Sequence, residues 1–551
     1  MNICFQSLIK KNMAHTNFMG GVSYHPRNPL KKLELELCSC FLQEPRFYPA
    51  SDVYKEVIRR PNDNYILFPE NTDKTWQQIF EEDVNDALSY DFAATLCLAV
   101  KARKEFHMRS APCYLLAIAA SHPLRQKFNH ERPSFFRQRI QEVCLILPDM
   151  VSILDAWKLR NGSISSFPSF CKRSFADIIQ KTSPYHANKY RKAYIDIVRL
   201  CHPRKTSLTG EMMQKGKIAM EEKDLPWNTL MSRCGSWSKT LDMLEWNMPH
   251  MAALRNIRGF AIQVRDEELI RKYCTMLESG VPTGKQFPFR YWTAYLSLTS
   301  TKSLKNVRYR KRIRKSDLTI LKHCLASCIQ ISIQNHPKLE GSVIVLSDNS
   351  GSTWGQFTSQ YGTMTVAEIG NLSALITAYS CTGKGVVGLF GETLLEYTVD
   401  KKITLLENFE KMQDLIGPRG KNVGHATEEG IWIFFKRAMK SPTDYHYDHF
   451  FCYSDMQAGH GRLYGYDTEM CDEWTWENIG RQKFIHVPNL VDNYRKTMNP
   501  KLNVFTVQTA GYNDSILPQC TYRGGYLHGW TGNEVIFAEK MVSLWDEFDR
   551  L

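Results

Sequence analysis

The hydrophobic pattern changes character near residue 338, and this change constrains the fold more than any other feature of the chain. From about Pro29 to His336, apolar residues recur at three- to four-residue spacing, which is typical of amphipathic helices. Beyond Pro337, short apolar runs rich in β-branched and aromatic residues alternate with helical stretches, which predicts a mostly parallel sheet covered by helices on both faces. A chain of 551 residues is also too long for one hydrophobic core. We therefore predict at least two domains.

The first region is predicted to be an α-helical solenoid, because helices of similar length follow one another with Pro, Gly and Asn clusters between them. The clearest helical segments are Leu30–Leu42, Trp76–Leu88, Pro133–Leu147 and Leu318–Ile333. No strict repeat motif accompanies them. The second region contains the strand candidates Ser342–Leu346, Val386–Phe390, Phe450–Tyr453 and Val504–Val507 and the helix candidates Ala367–Tyr379 and Ile403–Leu415. The predicted domains are a leader of residues 1–28, a helical domain of residues 29–337 and an α/β domain of residues 338–551.

Charge is distributed unevenly between these regions. The first 340 residues contain 52 Lys and Arg against 32 Asp and Glu, a formal net charge of +20, whereas the remainder contains 18 against 25, or −7. Such asymmetry predicts a polyanionic partner for the helical region. A solvated basic surface without a partner is the alternative.

Cellular location is constrained by what the sequence does not contain. There is no apolar run near the roughly 18 residues that a membrane span requires. The N-terminal residues do not resemble a secretory signal, and the 16 cysteines have no regular zinc-type spacing. We therefore expect reduced thiols and a cytoplasmic location, with the nucleus as the alternative.

Oxygen-bearing side chains gather where two predicted strands end. The strand candidate Ser342–Leu346 leads directly into the segment Asp348-Asn-Ser-Gly-Ser352, and Phe450–Tyr453 is followed closely by Asp455. Thr427 lies just ahead of another predicted helix. In open α/β sheets ligands bind at the carboxyl ends of the strands, and Mg²⁺ prefers oxygen ligands. The pattern predicts a divalent-metal site, although a Ser/Gly turn that binds nothing is the simpler alternative.

This order of residues resembles the metal ion-dependent adhesion site of von Willebrand factor A domains, which have Asp-x-Ser-x-Ser after the first strand, a loop Thr and a later strand-terminal Asp. The resemblance implies that Ser350, Ser352 and Thr427 bind the ion directly, while Asp348 and Asp455 act mainly through water. It implies Mg²⁺ as the cofactor, with Mn²⁺ as the alternative, and a possible protein partner at the metal.

Residues 181–205 combine cations with aromatic side chains. If they form one helix, Tyr190, Tyr194, Ile197, Val198 and Cys201 share one face. Lys189, Lys192 and Arg199 point away from that face and can neutralise phosphates, while Tyr and His rings can stack on unpaired bases.

Two other cationic clusters are Lys101–Lys104 with Arg109, and Arg308–Lys315. Each taken alone is typical of a solvated charged face, and Arg308–Lys315 also fits a nuclear-localisation signal or a linker. Several such clusters in one domain favour nucleic acid as the partner.

The layout of a helical domain followed by a von Willebrand A-like domain resembles the TROVE family of telomerase, Ro and vault proteins. Three segments are similar to motifs of that family: Arg199-Leu-Cys-His-Pro203, Met248–Ile257 and Phe287-Pro-Phe289. The resemblance covers roughly Leu88 to the C-terminus. It implies a HEAT-like helical ring, closed by the A domain, that binds small structured Y-like RNAs and single-stranded 3′ ends of misfolded RNAs.

The RNA contacts implied by the resemblance fall on His202 and the cations before it. With the charge argument they make up the predicted RNA-binding set, which is Lys189, Tyr190, Arg191, Lys192, Arg199, His202 and Arg204. The Met248–Ile257 segment is expected to serve packing, with Arg255 left open.

Two other functional classes compete with an RNA-binding ribonucleoprotein scaffold. One is a metal-dependent protein-adhesion adaptor without RNA specificity, which gives no reason for the +20 charge. The other is a hydrolase, but the chain has no P-loop, no His-Glu-x-x-His motif and no Gly-x-Ser-x-Gly motif. We therefore expect no catalytic activity.

Overall fold

The computed structural model describes most of the chain. The described residues are 14–16, 22–24, 28–37, 76–105, 108–221, 225–284, 286, 288–299, 313–334, 337–354, 365–425, 428–456, 476–479, 482–509, 515–518, 521–528 and 534–549. The chain divides into two compact units, residues 26–226 and residues 1–25 together with 227–551. The domain limits 29–337 and 338–551 stay a prediction. None of the described helices is long and apolar enough to cross a membrane.

The unit of residues 26–226 is built from helices alone in its described part. They are α1 Pro29–Leu37, α2 Trp76–Tyr90, α3 Phe92–Lys104, α4 Ser110–Ser121, α5 Arg125–Glu131, α6 Phe135–Val143, α7 Leu147–Asn161, α8 Ser169–Gln180, α9 Pro184–Lys189, α10 Arg191–Cys201 and α11 Ser207–Lys215. Their ends follow ordinary capping chemistry. The Asp91 side chain accepts a hydrogen bond from Ala94 N at the start of α3, and α7 ends at Gly162 with φ +71°. The almost wholly buried α4 packs against α3 and α7.

In its described residues, the second unit contains the antiparallel pair β1 Ala14–Thr16 and β2 Val22–Tyr24, followed by six helices. These helices are α12 Trp227–Cys234, α13 Trp237–Met243, α14 His250–Gln263, α15 Glu267–Gly284, α16 Pro288–Thr299 and α17 Lys315–Gln334. The α/β part follows as β3 Val343–Asp348, α18 Val366–Tyr379, β4 Gly385–Phe390, β5 Leu394–Thr398, α19 Leu405–Ile416, α20 Glu428–Lys440, β6 His449–Ser454, β7 Trp476–Ile479, β8 Gln482–Ile485, α21 Val487–Thr497, β9 Asn503–Gln508, β10 Gly524–His528 and α22 Glu534–Phe548.

In the described part of the chain, six strands form the central sheet in the order β10-β9-β6-β3-β4-β5, and among these only β5 is antiparallel to its neighbour. The predicted helical region followed by a mostly parallel sheet is confirmed, and each of the four strand candidates coincides with a strand of this sheet. Helices α16 and α17 pack on the same α/β part. The rings of Trp292 and Phe409 lie 5.1 Å apart, and Gln330 Nε2 donates to Tyr379 Oη at 3.0 Å.

Two helix predictions were wrong in detail. The segment Pro133–Leu147 is not one helix, because α6 ends at Val143 and Leu147 begins α7. Residues 181–205 do not form one helix either, because Tyr190 (φ −113°, ψ 37°) separates α9 from α10. In both segments the apolar spacing continues across a bend. Pro148, in the first turn of α7, marks the first bend, whereas no Gly or Pro lies at Tyr190. Of the predicted helix Leu30–Leu42, the part beyond Leu37 lies outside the described residues.

Candidate metal centre and nucleic-acid interface

The predicted metal-binding side chains meet at the carboxyl edge of the sheet. Asp348 is the last residue of β3, and Asp455 follows the adjacent parallel strand β6. Both aspartates are 3% exposed. Ser352 Oγ donates to Asp455 Oδ2 at 2.9 Å and lies 3.1 Å from Ser350 Oγ. The structure therefore brings together four of the five predicted ligands, and the fifth, Thr427, lies outside the described residues.

Hydrogen bonds and burial act in opposite directions on the pKa of the Asp348 carboxyl. Its Oδ1 accepts a hydrogen bond from Ser350 N at 2.8 Å, and its Oδ2 accepts one from Ser454 Oγ at 2.8 Å. Burial, reinforced by the nearby charge of Asp455, nevertheless raises the pKa of Asp348 to about 7. A cation in this place would relieve the repulsion between the two carboxylates, so the electrostatics of the cluster fit a divalent ion.

Two buried side-chain amides, those of Asn349 and Asn371, hold the Asp348–Ser352 loop in place. Asn349 Nδ2 donates to Asn371 Oδ1 at 3.0 Å, and Asn371 Nδ2 donates back to Asn349 Oδ1 at 2.8 Å. Ser347 Oγ also donates to Asn371 Oδ1. Because Asn371 belongs to α18, this contact ties the loop to a helix that packs on β3. Nothing in the spacing of the sequence pointed to Asn371, which lies 22 residues from its partner.

The chain leading towards Thr427 reaches the same loop. Gly351 N donates to His425 O at 3.0 Å, and His425 N donates to Glu392 Oε1 at 3.2 Å. The donor set is hard oxygen throughout, namely two carboxylates and two hydroxyls, which suits Mg²⁺ or Mn²⁺ rather than a soft metal. Among the described residues, no group of three or more His, Cys, Asp or Glu side chains is placed to hold a metal ion.

The second candidate site lies on α9, α10 and the segment after them. We call it the α9–α10 face, and it consists of the predicted RNA-binding set Lys189, Tyr190, Arg191, Lys192, Arg199, His202 and Arg204. Six of these side chains are exposed and Tyr190 is half-buried. On the opposite side of α10, Tyr194 and Ile197 are buried, while Val198 and Cys201 are half-buried. The predicted division into a packed and an exposed side is therefore confirmed for α10, although Lys189 lies on α9.

The cations of this face are available to an anion. None of the five Lys and Arg side chains pairs with a carboxylate within the part of the chain that the structure describes. The Lys189 ammonium lies 5.5 Å from the Tyr185 ring and 5.2 Å from the Tyr190 ring. His202 ends α10 in the left-handed conformation, with φ +46°, and its side chain is exposed. It is therefore not a core histidine.

Two aromatic residues of the 181–205 segment, Tyr185 and His186, lie beside Lys189 although they are not in the predicted RNA-binding set. Tyr185 and His186 are half-buried beside Lys189, and the His186 ring is parallel to the Tyr190 ring to within 5°. His186 and Tyr190 are four residues apart, and Tyr190 N donates to His186 O at 3.0 Å, so one helical turn makes their rings neighbours.

The cluster Lys101–Lys104 with Arg109 has different surroundings. We call these cations (Lys101, Arg103, Lys104 and Arg109) the α3–α4 cluster. Arg103 is buried and its Nη2 lies 2.9 Å from Asp149 Oδ2, while Arg109 lies 3.6 Å from the same carboxylate. Lys101 pairs with Glu34 and Lys104 with Glu142. Each of these cations thus lies near a carboxylate, and the suggestion that the cluster adds to an RNA-binding surface stays a prediction.

The remaining predicted segments have separate outcomes. In Met248–Ile257, Met248, Ala253, Leu254 and Ile257 are buried and Arg255 is exposed, which confirms a packing role. Of Arg308–Lys315, residues 308–312 lie outside the described residues, and Arg314 pairs with Asp317.

Comparison with known proteins identifies the fold. No family model and no curated protein sequence matches the chain. Among solved structures, the crystal structure of the Ro (RSR) protein of Deinococcus radiodurans is similar, with a TM-score of 0.56 over 93% of this chain and 99% of that one. The identity is 11%, so the similarity shows a Ro-like fold and nothing finer.

Proposed function

We propose that this protein is an RNA-binding ribonucleoprotein scaffold that binds RNA through the α9–α10 face. By analogy with Ro proteins, its ligands are small noncoding Y-like RNAs and the single-stranded 3′ ends of misfolded RNAs, and its role is RNA quality control. The observation that carries the proposal is a set of exposed cations that have no carboxylate partner among the described residues and lie beside aromatic rings. The Ro-like fold supports it.

The chemistry of the face fits RNA better than it fits an acidic protein. Residues 181–205 contain seven Lys or Arg and a single acidic residue. Cations neutralise phosphates without sequence preference, and aromatic rings beside them stack on unpaired bases. An acidic protein would use the charges but not the rings.

Crosslinking in cells tests this proposal. RNA crosslinked to the protein would be recovered and sequenced, from wild type and from a variant with Lys189, Lys192 and Arg199 changed to Ala. We expect small structured RNAs and unpaired 3′ ends with wild type and a large loss with the variant. Equal recovery from both proteins would contradict the proposal.

We propose in addition that the α/β part binds one Mg²⁺ or Mn²⁺ ion through Asp348, Ser350, Ser352, Asp455 and Thr427. The carboxylate and hydroxyl cluster supports this site, and it also favours a second candidate function, a metal-dependent protein-adhesion adaptor. In that case a carboxylate of the partner protein completes the coordination of the ion. One protein can have both functions. If the crosslinking experiment recovers no RNA, the adaptor function alone is left.

Calorimetric titration of the full-length protein with Mn²⁺ tests the metal site. Asp455→Asn should weaken binding at least tenfold, because it removes a buried charge from the cluster. Asp448→Asn is the matched control, since Asp448 lies at the opposite end of β6 and accepts a hydrogen bond from Ser342 N. Equal Mn²⁺ affinity in wild type and Asp455→Asn would show that the cluster is not a metal site.

The pH dependence of Mn²⁺ binding gives a further check. Because the pKa of Asp348 is raised to about 7, this carboxyl is partly protonated below that pH. A metal ion competes with that proton, so affinity should be higher above pH 7 than below it. Asp348→Asn should weaken binding and remove this dependence.

We also propose that the protein does not cleave RNA. Two carboxylates at one site fall short of the carboxylate-rich two-metal arrangement used for phosphodiester hydrolysis. Incubation of labelled RNA with the protein and Mg²⁺ should leave it intact, and cleavage that disappears in Asp455→Ala would contradict this.

A further inference from the structure

One cation of the α9–α10 face, Lys189, is held in place by neutral groups. Its ammonium lies 5.5 Å from the centre of the Tyr185 ring and 5.2 Å from the centre of the Tyr190 ring. Both distances are within the roughly 6 Å over which an aromatic ring attracts a cation. Partial burial lowers the pKa of Lys189, but the electrostatic and hydrogen-bonding effects of the two tyrosines outweigh it, so the pKa is raised. The tyrosines therefore stabilise the charged form of Lys189 without cancelling its charge.

A comparison with Lys101 shows why the kind of partner matters. Lys101 pairs with the carboxylate of Glu34, whose charge opposes its own. Lys189 has no carboxylate partner among the described residues, so its full charge is available to a ligand. A lysine side chain is flexible, and fixing it on a ligand costs conformational entropy. A lysine that already has its position in the free protein loses less of this entropy on binding.

The backbone around Lys189 fixes the positions of the two rings. Tyr185 and Lys189 are four residues apart on α9, which places their side chains on one face of the helix. Tyr190 follows directly, at the bend where α9 ends. Asn188 exchanges two hydrogen bonds of 2.9 Å with the backbone of Ile218, which ties α9 to the segment after α11. Both rings therefore belong to a backbone that is attached to the rest of its unit.

We infer that Tyr185 and Tyr190 are positioning residues, which hold the Lys189 ammonium ready for a phosphate of single-stranded RNA. This inference rests on the proposed RNA-binding function. It gives a role to Tyr185, which is outside the predicted RNA-binding set, and it gives Tyr190 a role that does not depend on base stacking. A chain with phosphates but no bases should benefit from the same arrangement.

A double-mutant cycle with the full-length protein tests this role, with the affinity for single-stranded oligouridine measured by filter binding at one low salt concentration. Tyr185→Leu keeps an apolar side chain at a half-buried position and removes the ring. It should weaken binding about two- to fivefold, which corresponds to an exposed cation–π contact. In a Lys189→Ala background the same substitution should cause no further loss. Tyr190→Leu should show the same dependence on Lys189.

Lys192 provides the matched control. It is exposed on the same face, and no aromatic ring among the described residues lies over its ammonium. In a Lys192→Ala background, Tyr185→Leu should therefore weaken binding by the same factor as in wild type. A sugar-phosphate chain of the same length without bases is the second ligand. Tyr185→Leu should weaken its binding by a similar factor, because the ring acts on a phosphate contact.

The outcomes separate this inference from the proposed function. If Tyr185→Leu causes the same loss in the Lys189→Ala and Lys192→Ala backgrounds, or no loss in any background, Tyr185 does not act through Lys189. The inference is then wrong and the proposed function stands. A loss seen with oligouridine but not with the base-free chain would mean that the ring stacks on a base, which also overturns the inference. If wild type binds no RNA, the proposed function itself fails.

Discussion

The α3–α4 cluster and the α9–α10 face look alike in the sequence and differ in the structure. Both combine several Lys and Arg residues within a short helical stretch. In the α3–α4 cluster each cation has a carboxylate partner, and Arg103 is buried against Asp149. In the α9–α10 face no cation has one among the described residues. Positive charge in a sequence therefore indicates a polyanion site only where the fold leaves it uncompensated.

The largest effect on stability is expected at Arg103. Its guanidinium donates to Val143 O at 3.0 Å and pairs with Asp149, which is 1% exposed. Arg103→Ala leaves that buried carboxylate with Arg109 at 3.6 Å and with the backbone N–H groups of Leu145 and Ile146. It should therefore lower the free energy of unfolding by about 3 kcal/mol, the lower end of what a broken buried ion pair costs. Urea denaturation measures this loss. The folded fraction should still bind RNA like wild type, and a selective loss of RNA binding would mean that this cluster touches RNA after all.

A smaller effect, on RNA binding rather than stability, is expected at His202. His202→Asn keeps a residue that tolerates the left-handed backbone at φ +46° but removes the ring. If the ring stacks on a base, RNA binding should weaken by about 1–3 kcal/mol at every salt concentration, with no change in salt dependence. Filter binding measures the affinity, and thermal unfolding should stay near wild type. Unchanged affinity would remove His202 from the interface.

The smallest effect is expected when both lysines of the α3–α4 cluster are replaced. The Lys101 and Lys104 side chains are 37% and 47% exposed and pair with Glu34 and Glu142. Exposed pairs of this kind contribute about 0.2–1 kcal/mol each. The double variant Lys101→Ala with Lys104→Ala should therefore have a slightly lower free energy of unfolding, measured by urea denaturation, and should bind RNA as wild type does. A clear loss of RNA affinity in this variant would show that the α3–α4 cluster binds RNA as the α9–α10 face is proposed to do.

Much of the fold could be predicted from the sequence, because hydrophobic periodicity reports local structure directly. The runs at Ser342–Leu346 and Val504–Val507 became β3 and β9, and Asp348 and Asp455 meet because parallel strands end at one edge. The partner of Asn349 could not be predicted, since its contact with Asn371 depends on how α18 packs. The partners of Arg103 and Lys101 were equally inaccessible, because Asp149 and Glu34 lie 46 and 67 residues away. Long-range pairing decides which charges stay exposed, and spacing carries no information about it.

The central claim is that the cations of the α9–α10 face contact RNA phosphates, and a salt series tests it most directly. RNA binding by wild type should fall steeply with salt, and each lost phosphate contact on a single strand reduces the slope of log affinity against log salt by about 0.7. Lys189→Ala with Lys192→Ala should flatten that slope by roughly 1 to 1.5 and weaken binding at low salt, with circular dichroism unchanged. The matched variant with Lys101 and Lys104 replaced should keep the wild-type slope. Equal slopes and affinities for all three proteins would contradict the account, because the α9–α10 face would then be a solvated surface like any other.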